Sequence, residues 1–434
     1  MTVNPAMGDP ATRSLGADQP SKAAVVAPPQ HAPMSQWPVV DDCLVVGGVP
    51  LTRLTQRVGR TPFYAYDREL LTERVGLLRR HLPAQIKLHY AIKANPMPAV
   101  VGHLAGLVDG LDVASGRELN VALDTGMTPR EISFAGPGKS EAELAQAIAA
   151  GILINVESLR EIAVLGRLSR DMNLAARVAV RVNPDFELKS SGMKMGGGPR
   201  QFGIDAECVS DALKEIGQRG LDFEGFHIFG GSQNLKAEAI CETQRKTVEL
   251  AVHLARSAPA PVRVLNIGGG FGIPYFPGER PLDLAPIGEN LRVVAAEAKT
   301  ALPDASIVIE LGRYLVGEAG IYVCRVIDRK VSRGEVFLVT DGGLHHHLAA
   351  SGNFGQVIRK NYPVCVGNRV AGGIRGIASV VGPLCTPLDL LADRMELADA
   401  QSGDLVVIFQ SGAYGATASP QKFLSHASCT EVLV

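Results

Sequence analysis

The sequence predicts an α/β chain, a closed (β/α)8 barrel followed by an all-β domain. Three observations carry that prediction. Eight short β-prone runs alternate with helical stretches between about residues 67 and 313. Such alternation builds parallel βαβ units, and eight units close a barrel. Beyond Arg313 the helical period fades and β-rich segments separated by glycines take over. Finally, Lys93, Asp112, Arg181, His227, Glu310 and Arg313, with glycines 268–270, sit where the runs end, and an apolar core has no reason to place charge there. An open Rossmann-like sheet is the rival, separated from the barrel by one or two strands.

In chain order, residues 1–36 are rich in Pro, Ala and small polar residues without an apolar period, and read as a disordered tail. Residues 37–66 are assigned to the β domain. The barrel is expected over 67–316, with strands at 87–93, 110–115, 131–136, 152–157, 177–184, 223–230, 262–270 and 306–313. Helical stretches are expected at 116–126, 140–150, 158–170, 205–219, 236–257 and 284–302. Segments such as IYVCRVIDRK, EVFLVTDGG and GDLVVIFQSGAYG complete the β domain over 317–434.

Composition narrows the function. A net charge of −1 with few Lys/Arg runs argues against nucleic acid as the main partner. Apolar stretches fall short of the ~20 residues a membrane span needs. The start of the chain lacks a basic-then-apolar export pattern, and seven cysteines without a CxxC read as reduced thiols, so a cytoplasmic enzyme is expected.

The chemistry is expected at the C-terminal ends of the barrel strands. GGGFG at 268–272 exposes backbone N–H groups that can cradle a phosphate. It is not a dinucleotide motif, because Ile273 stands where GxGxxG needs its third glycine. Alone it would read as a tight turn. It ends the seventh run, however, and ELGR ends the eighth, the two loops where barrels commonly hold phosphate; Arg313 adds a bidentate donor. Glu310 closes the apolar run SIVIE. It is either the partner of a nearby cation or the carboxylate that stabilises a protonated pyridine. Lys93, in HYAIKANP, either snorkels to water or forms a Schiff base. A reactive lysine, a phosphate cradle and a carboxylate for a ring nitrogen together describe a site for pyridoxal 5'-phosphate. Desolvation beside other cations would make Lys93 lose its proton more readily. His345, His346 and His347 are adjacent and cannot all face one ion, so they are assigned to a loop near the cofactor edge and no metal is expected.

These residues carry a family resemblance. YAIKAN, LDVASGRE, RVNPD, FGI, FHIFGGS, NIGGGFG, ELGR, GPLC and GAYGA occur in that order from roughly Arg60 to the C-terminus. As an ordered set they resemble the pyridoxal-phosphate fold-type III decarboxylases, the group of diaminopimelate, ornithine and arginine decarboxylases. The resemblance implies an alanine-racemase-like (β/α)8 TIM barrel with a C-terminal β domain. It implies Lys93 as the Schiff-base lysine and His227 stacked on the cofactor ring. Ser232, Gly270, Arg313 and Tyr414 would contact the phosphate, and Glu310 the pyridine nitrogen. Asp112, Arg181, Gly268, Gly269 and Gly312 complete the expected cofactor set. Cys385 would enter from the other subunit of a homodimer with shared active sites, where it could return a proton to Cα after carbon dioxide leaves.

Two departures bear on substrate. Family members acting on free basic amino acids typically follow GPLC with an acid for the distal ammonium, whereas here Thr386 follows Cys385. The upstream loop offers Arg359 and Lys360, so the expected substrate contacts are Arg313, Thr386, Arg359 and Lys360, with Asp389 as the acid that a loop shift would have to supply. The segment 187–205 adds glycines and the cations Lys189, Lys194 and Arg200, and reads as a flexible lid or docking surface. It resembles a subgroup comprising the carrier-protein-linked decarboxylase of the butirosin pathway and decarboxylases encoded alongside exosortase systems. That likeness implies an amino acid tethered to an acidic acyl-carrier protein, for example a glutamyl thioester. The rivals are a diaminopimelate or other free amino-acid decarboxylase, a racemase, which would need a second acid–base group opposite Lys93, and a non-catalytic cofactor-binding homologue.

Overall fold

A computed structural model describes residues 30–187 and 192–434. Residues 1–29 of the expected tail and 188–191 of the expected lid, Lys189 among them, lie outside the described residues. The eight expected runs form parallel strands: Ile86–Ala91, Gly110–Val113, Ile132–Phe134, Leu153–Val156, Arg177–Asn183, Asp222–Ile228, Val264–Gly269 and Ser306–Leu311. Each pairs with its chain neighbours; the first pairs with the eighth and the fourth with the fifth, so the sheet closes and the open-sheet rival is excluded. The six expected helices are present.

Local chemistry places the strand-to-helix turns. Ser115, Ser140 and Ser158 follow strand ends and cap the next helix by accepting from the backbone N–H three residues on. Ser140 and Glu143 form a reciprocal capping box. Each cap contributes about 1 kcal/mol. Two barrel helices were not among the sequence expectations, Arg68–His81 and Pro98–Ala105. The first has a recognisable start, because the Asp67 side chain accepts from the N–H groups of Glu69 and Leu70. The second is apolar nearly all round, so it offers no amphipathic period to read.

The β domain is organised by the long strand Gly320–Ser332. Its first half pairs with Phe63–Tyr66 and Leu405–Ile408, and its second half with Glu335–Thr340. The segment before the barrel therefore supplies a strand to the second domain, although it also contains a helix, Leu51–Val58. Residues 30–36, grouped with the tail at the sequence level, lie against the body. Gln30 O accepts from Gly278 N at 2.8 Å, and the His31 ring is 2.8 Å from Asn361 O. The three consecutive histidines are buried in a turn of this domain. His346 Nε2 meets Ala427 O at 2.8 Å and His347 Nε2 meets Ser411 Oγ at 2.9 Å. Among the described residues no helix is long and apolar enough to cross a membrane.

Inside the barrel a polar column rises from the N-terminal face. His89 Nδ1 lies 3.2 Å from Asp112 Oδ1, which also accepts from Ser133 Oγ at 2.5 Å; Asn155 donates to Ser133 at 3.2 Å. Burial alone would lower the basicity of His89, but the carboxylates of Asp112 and Glu131 outweigh it and push its pKa up to about 9. A raised folded-state pKa means that the charged pair stabilises the fold fully below the unfolded value of ~6.5 and stops doing so as pH rises through about 9. Urea unfolding should therefore show a loss of about 3 kcal/mol between pH 6 and 9.5 that His89→Gln abolishes. An equally steep loss in the variant would assign it to other groups.

Candidate active site

Lys93 leaves the first strand in a single 3-10 turn, Ile92–Ala94, which aims its side chain at the barrel mouth. Gly312, at the end of the eighth strand, lets that turn come close; a Cβ there would stand 2.9 Å from Ala94 Cβ and 3.2 Å from Ala91 O. Lys93 Nζ lies 3.3 Å from Glu310 Oε1 and 5.6 Å from the Phe229 ring centre. The other Glu310 oxygen lies 2.9 Å from His227 Nε2. Burial disfavours the Glu310 carboxylate, yet Lys93, His227 and Arg181 more than offset it and hold its pKa far below the usual range.

Lys93 corrects one expectation. Desolvation does lower its basicity, but Glu310 raises it by more, and the net displacement is upward rather than downward. Its nearest charge is the carboxylate and not another cation. Lys93 must therefore release a proton before it can attack a carbonyl.

The phosphate-side residues converge from four segments. Gly268 and Gly270 adopt left-handed φ of 69° and 75°, which admits glycine at little cost. At Gly269 the constraint is space, because a Cβ would stand 2.2 Å from Glu310 O. Ser232 lies on the short strand Gly231–Ser232, beside the chain that follows His227. Arg313 begins the turn after the eighth strand, donates to Tyr275 Oη at 2.8 Å and lies 4.7 Å over the Tyr414 ring. Tyr414 is fixed by its own N–H, which donates to Ala94 O at 2.8 Å. The buried Arg313 Nε and His227 Nδ1 have no hydrogen-bond partner among the described residues. The orphaned Arg313 guanidinium N–H suits a phosphate oxygen, and the free face of a fixed imidazole suits an aromatic ring.

Of the remaining expected residues, Asp112 and Arg181 reach the lumen. Asp112 is committed to His89 and Ser133, its second oxygen having no hydrogen-bond partner among the described residues, and Arg181 Nη1 donates to Glu157 Oε1 at 2.8 Å. Glu157 and the buried pair Lys139–Glu161 behind it went unnoticed in the sequence; NVES and PGKS are ordinary strand-end text, and only Arg181 hinted that a counter-charge was needed. A cavity of about 340 Å³ beside Arg313 is lined by residues that include Tyr275, Phe276, Phe354, Gln356, Tyr362 and Tyr414; Lys360 lies 5.6 Å from the ring centre of Phe276, whereas Arg359 does not line it and donates to Ser351 O. Cys385 and Thr386 stand apart. Cys385 is exposed, in the turn between strands Arg375–Val381 and Leu390–Ala398, and makes no hydrogen bond to the lysine cluster. Asp389 is no candidate for the distal pocket, since its carboxylate accepts from Leu344 N at 2.6 Å and Leu384 N at 2.8 Å.

A (β/α)8 barrel with an amine, a buried carboxylate and a phosphate seat at the C-terminal ends of its strands is a pyridoxal-phosphate enzyme of the barrel type. Known proteins specify it further. Residues 68–317 match the family described as "Pyridoxal-dependent decarboxylase, pyridoxal binding domain", and the chain belongs to that family. It is 39% identical to an L-glutamyl-[BtrI acyl-carrier protein] decarboxylase of Niallia circulans, over 88% of this chain and 90% of that protein. It is 33% identical to the diaminopimelate decarboxylase of Aquifex aeolicus, over 86% and 87% of the two chains. The crystal structure of Helicobacter pylori diaminopimelate decarboxylase with L-lysine superposes with a TM-score of 0.77 at 26% identity, covering 88% of this chain and 94% of that one. The protein is thus a pyridoxal-phosphate-dependent carboxy-lyase of fold type III.

Proposed function

We propose that the enzyme decarboxylates an α-amino acid whose distal end is an acyl group tethered to an acyl-carrier protein, a glutamyl thioester being the leading case. The observation that carries this reading is the character of the distal pocket. None of the described residues lining the cavity beside Arg313 is acidic, and Asp389 is turned inward to backbone N–H groups. The distal ammonium of a free diamino acid would be left unpaired, a cost of several kcal/mol. Lys360, 5.6 Å from the ring centre of the lining residue Phe276, puts a cation at the cavity's edge instead, which favours a carbonyl or carboxylate. The name of the Niallia circulans relative points to the same substrate class.

Within that reading the roles follow from position. The cofactor supplies an electrophilic aldehyde and an electron-withdrawing ring. Lys93 anchors it and yields to the substrate amine. His227 fixes the plane of the ring. Gly270, Ser232, Arg313 and Tyr414 hold its phosphate through N–H, O–H and guanidinium donors, the Gly268 N–H being taken by Asn266 Oδ1 at 2.8 Å. Glu310 keeps a proton on the ring nitrogen. Cys385, exposed in one chain, supports a homodimer in which it enters a second copy's site and returns a proton to Cα. Phe354, Val357, Ile358 and Leu388 leave apolar surface on the neighbouring loops, which Asn353 Nδ2 joins by donating to Leu388 O at 3.3 Å.

Carbon dioxide release measured on free and carrier-loaded amino acids tests the proposal. Turnover of glutamyl-carrier protein should exceed that of free glutamate and free diaminopimelate by about 10²-fold or more. Rapid turnover of free meso-diaminopimelate would overturn tethering and return the enzyme to the diaminopimelate class.

A further inference from the structure

The mouth of the barrel holds two cations, Lys93 and Arg181, near one carboxylate that the cofactor needs. Both act electrostatically on Glu310, yet only Lys93 bonds to it. Arg181 is held elsewhere. Its Nη1 donates to Glu157 Oε1 at 2.8 Å, and its guanidinium lies 5.0 Å from the Phe202 ring centre. Glu157 follows directly on the fourth strand and its side chain is 1% exposed. The same Oε1 accepts from Gly136 N at 2.6 Å, while Oε2 accepts from Gly203 N at 3.0 Å. Its backbone N–H donates to Glu161 Oε2 at 2.8 Å, and Glu161 pairs with the buried Lys139. Three donors from three separate segments thus meet two oxygens, a geometry that only a carboxylate satisfies.

When Lys93 is covalently engaged its amine leaves Glu310 Oε1, and the freed oxygen becomes an acceptor toward which the Arg181 guanidinium, already acting electrostatically on that carboxylate, would be drawn if it were untethered. We propose that Glu157 is a positioning residue that holds Arg181 away from Glu310, so that the freed carboxylate oxygen is reserved for the cofactor's ring nitrogen. Through Gly203 the same side chain fixes the returning end of the segment that follows the fifth strand, so Phe202 stays stacked on Arg181. The inference rests on Glu310 facing the ring nitrogen, as proposed above.

Titration of the apoenzyme with pyridoxal phosphate, followed by absorbance, tests it with no substrate present. Glu157→Gln replaces one acceptor oxygen by an NH2 that opposes the existing donors. It should weaken cofactor affinity about tenfold and change the visible band of the bound cofactor. In an Arg181→Met background, which removes the competing guanidinium, the same substitution should change affinity by less than about twofold. An unperturbed Glu157→Gln, or an equal effect in both backgrounds, overturns the inference. Should Glu157→Gln fail to fold, Glu157→Asp takes its place: the charge stays, the shorter reach releases Arg181, and wild-type affinity would count against the role. Glu310→Gln separates the two levels. If it leaves affinity and band unaltered, the ring-nitrogen reading fails; if it alters them while Glu157 variants do not, only the Glu157 role fails.

Discussion

Lys93→Ala should lower the rate of decarboxylation by about 10³–10⁴-fold, because no other amine among the described residues lies against Glu310 at the barrel mouth. The variant should also lack the visible band of a lysine-bound cofactor, and borohydride should no longer fix the cofactor covalently to the chain. The cause is geometric as much as chemical. Lys93 is carried by a single turn packed under Gly312, and Tyr414 N bonds to the carbonyl of the next residue, Ala94. Activity within about tenfold of wild type would remove Lys93 from the mechanism. The same experiment bears on the proton that Lys93 carries. Since Glu310 favours its charged form despite burial, the fraction of Lys93 free to attack, and with it the rate of cofactor attachment, should rise with pH.

The second large effect is expected at Cys385. Cys385→Ala should reduce the rate by about 10²–10³-fold while leaving the cofactor band and affinity largely unchanged, since the thiol lies apart from the phosphate seat. Mixing decides whether the residue acts across an interface. Lys93→Ala and Cys385→Ala chains are each defective alone, but a hybrid dimer contains one site with an intact lysine from one chain and an intact cysteine from the other. Random reassociation makes half the dimers hybrid with one good site of two, so about a quarter of wild-type activity should return. Failure of complementation, with hybrid dimers demonstrated, would place Cys385 in its own chain's site or outside the chemistry.

Much of this site was legible because barrels impose a simple rule on sequence. Side chains alternate between lumen and exterior, and the residue that ends a strand faces the mouth. Lys93, Arg181, His227 and Glu310 each end or closely follow an apolar run, so their positions gave away their convergence. The glycines of 268–270 were equally readable, and the structure supplies the physical reason: two take left-handed φ, and the third would drive a Cβ into Glu310 O. Glu157 was illegible for the opposite reason. It is one of many acids in strand-to-helix turns, and what distinguishes it is that Arg181, Gly136 and Gly203 come from separate segments of the chain. Asp389 shows the same limit. Its spacing from Cys385 allowed a pocket role, and only backbone N–H groups placed by distant chain show that it is structural.

The sequence by itself determined the ring of strands, the order of the motifs around it and the kind of cofactor, because strand period, helix caps and glycine requirements are local properties of the chain. Tertiary structure alone decided the charge state favoured at Lys93, the holding of Arg181 by Glu157 and the lack of acid among the described residues lining the cavity beside Arg313. Those depend on through-space distances between side chains from different loops, and electrostatic interaction in a buried site is set by such distances and by desolvation, neither of which is written in sequence spacing.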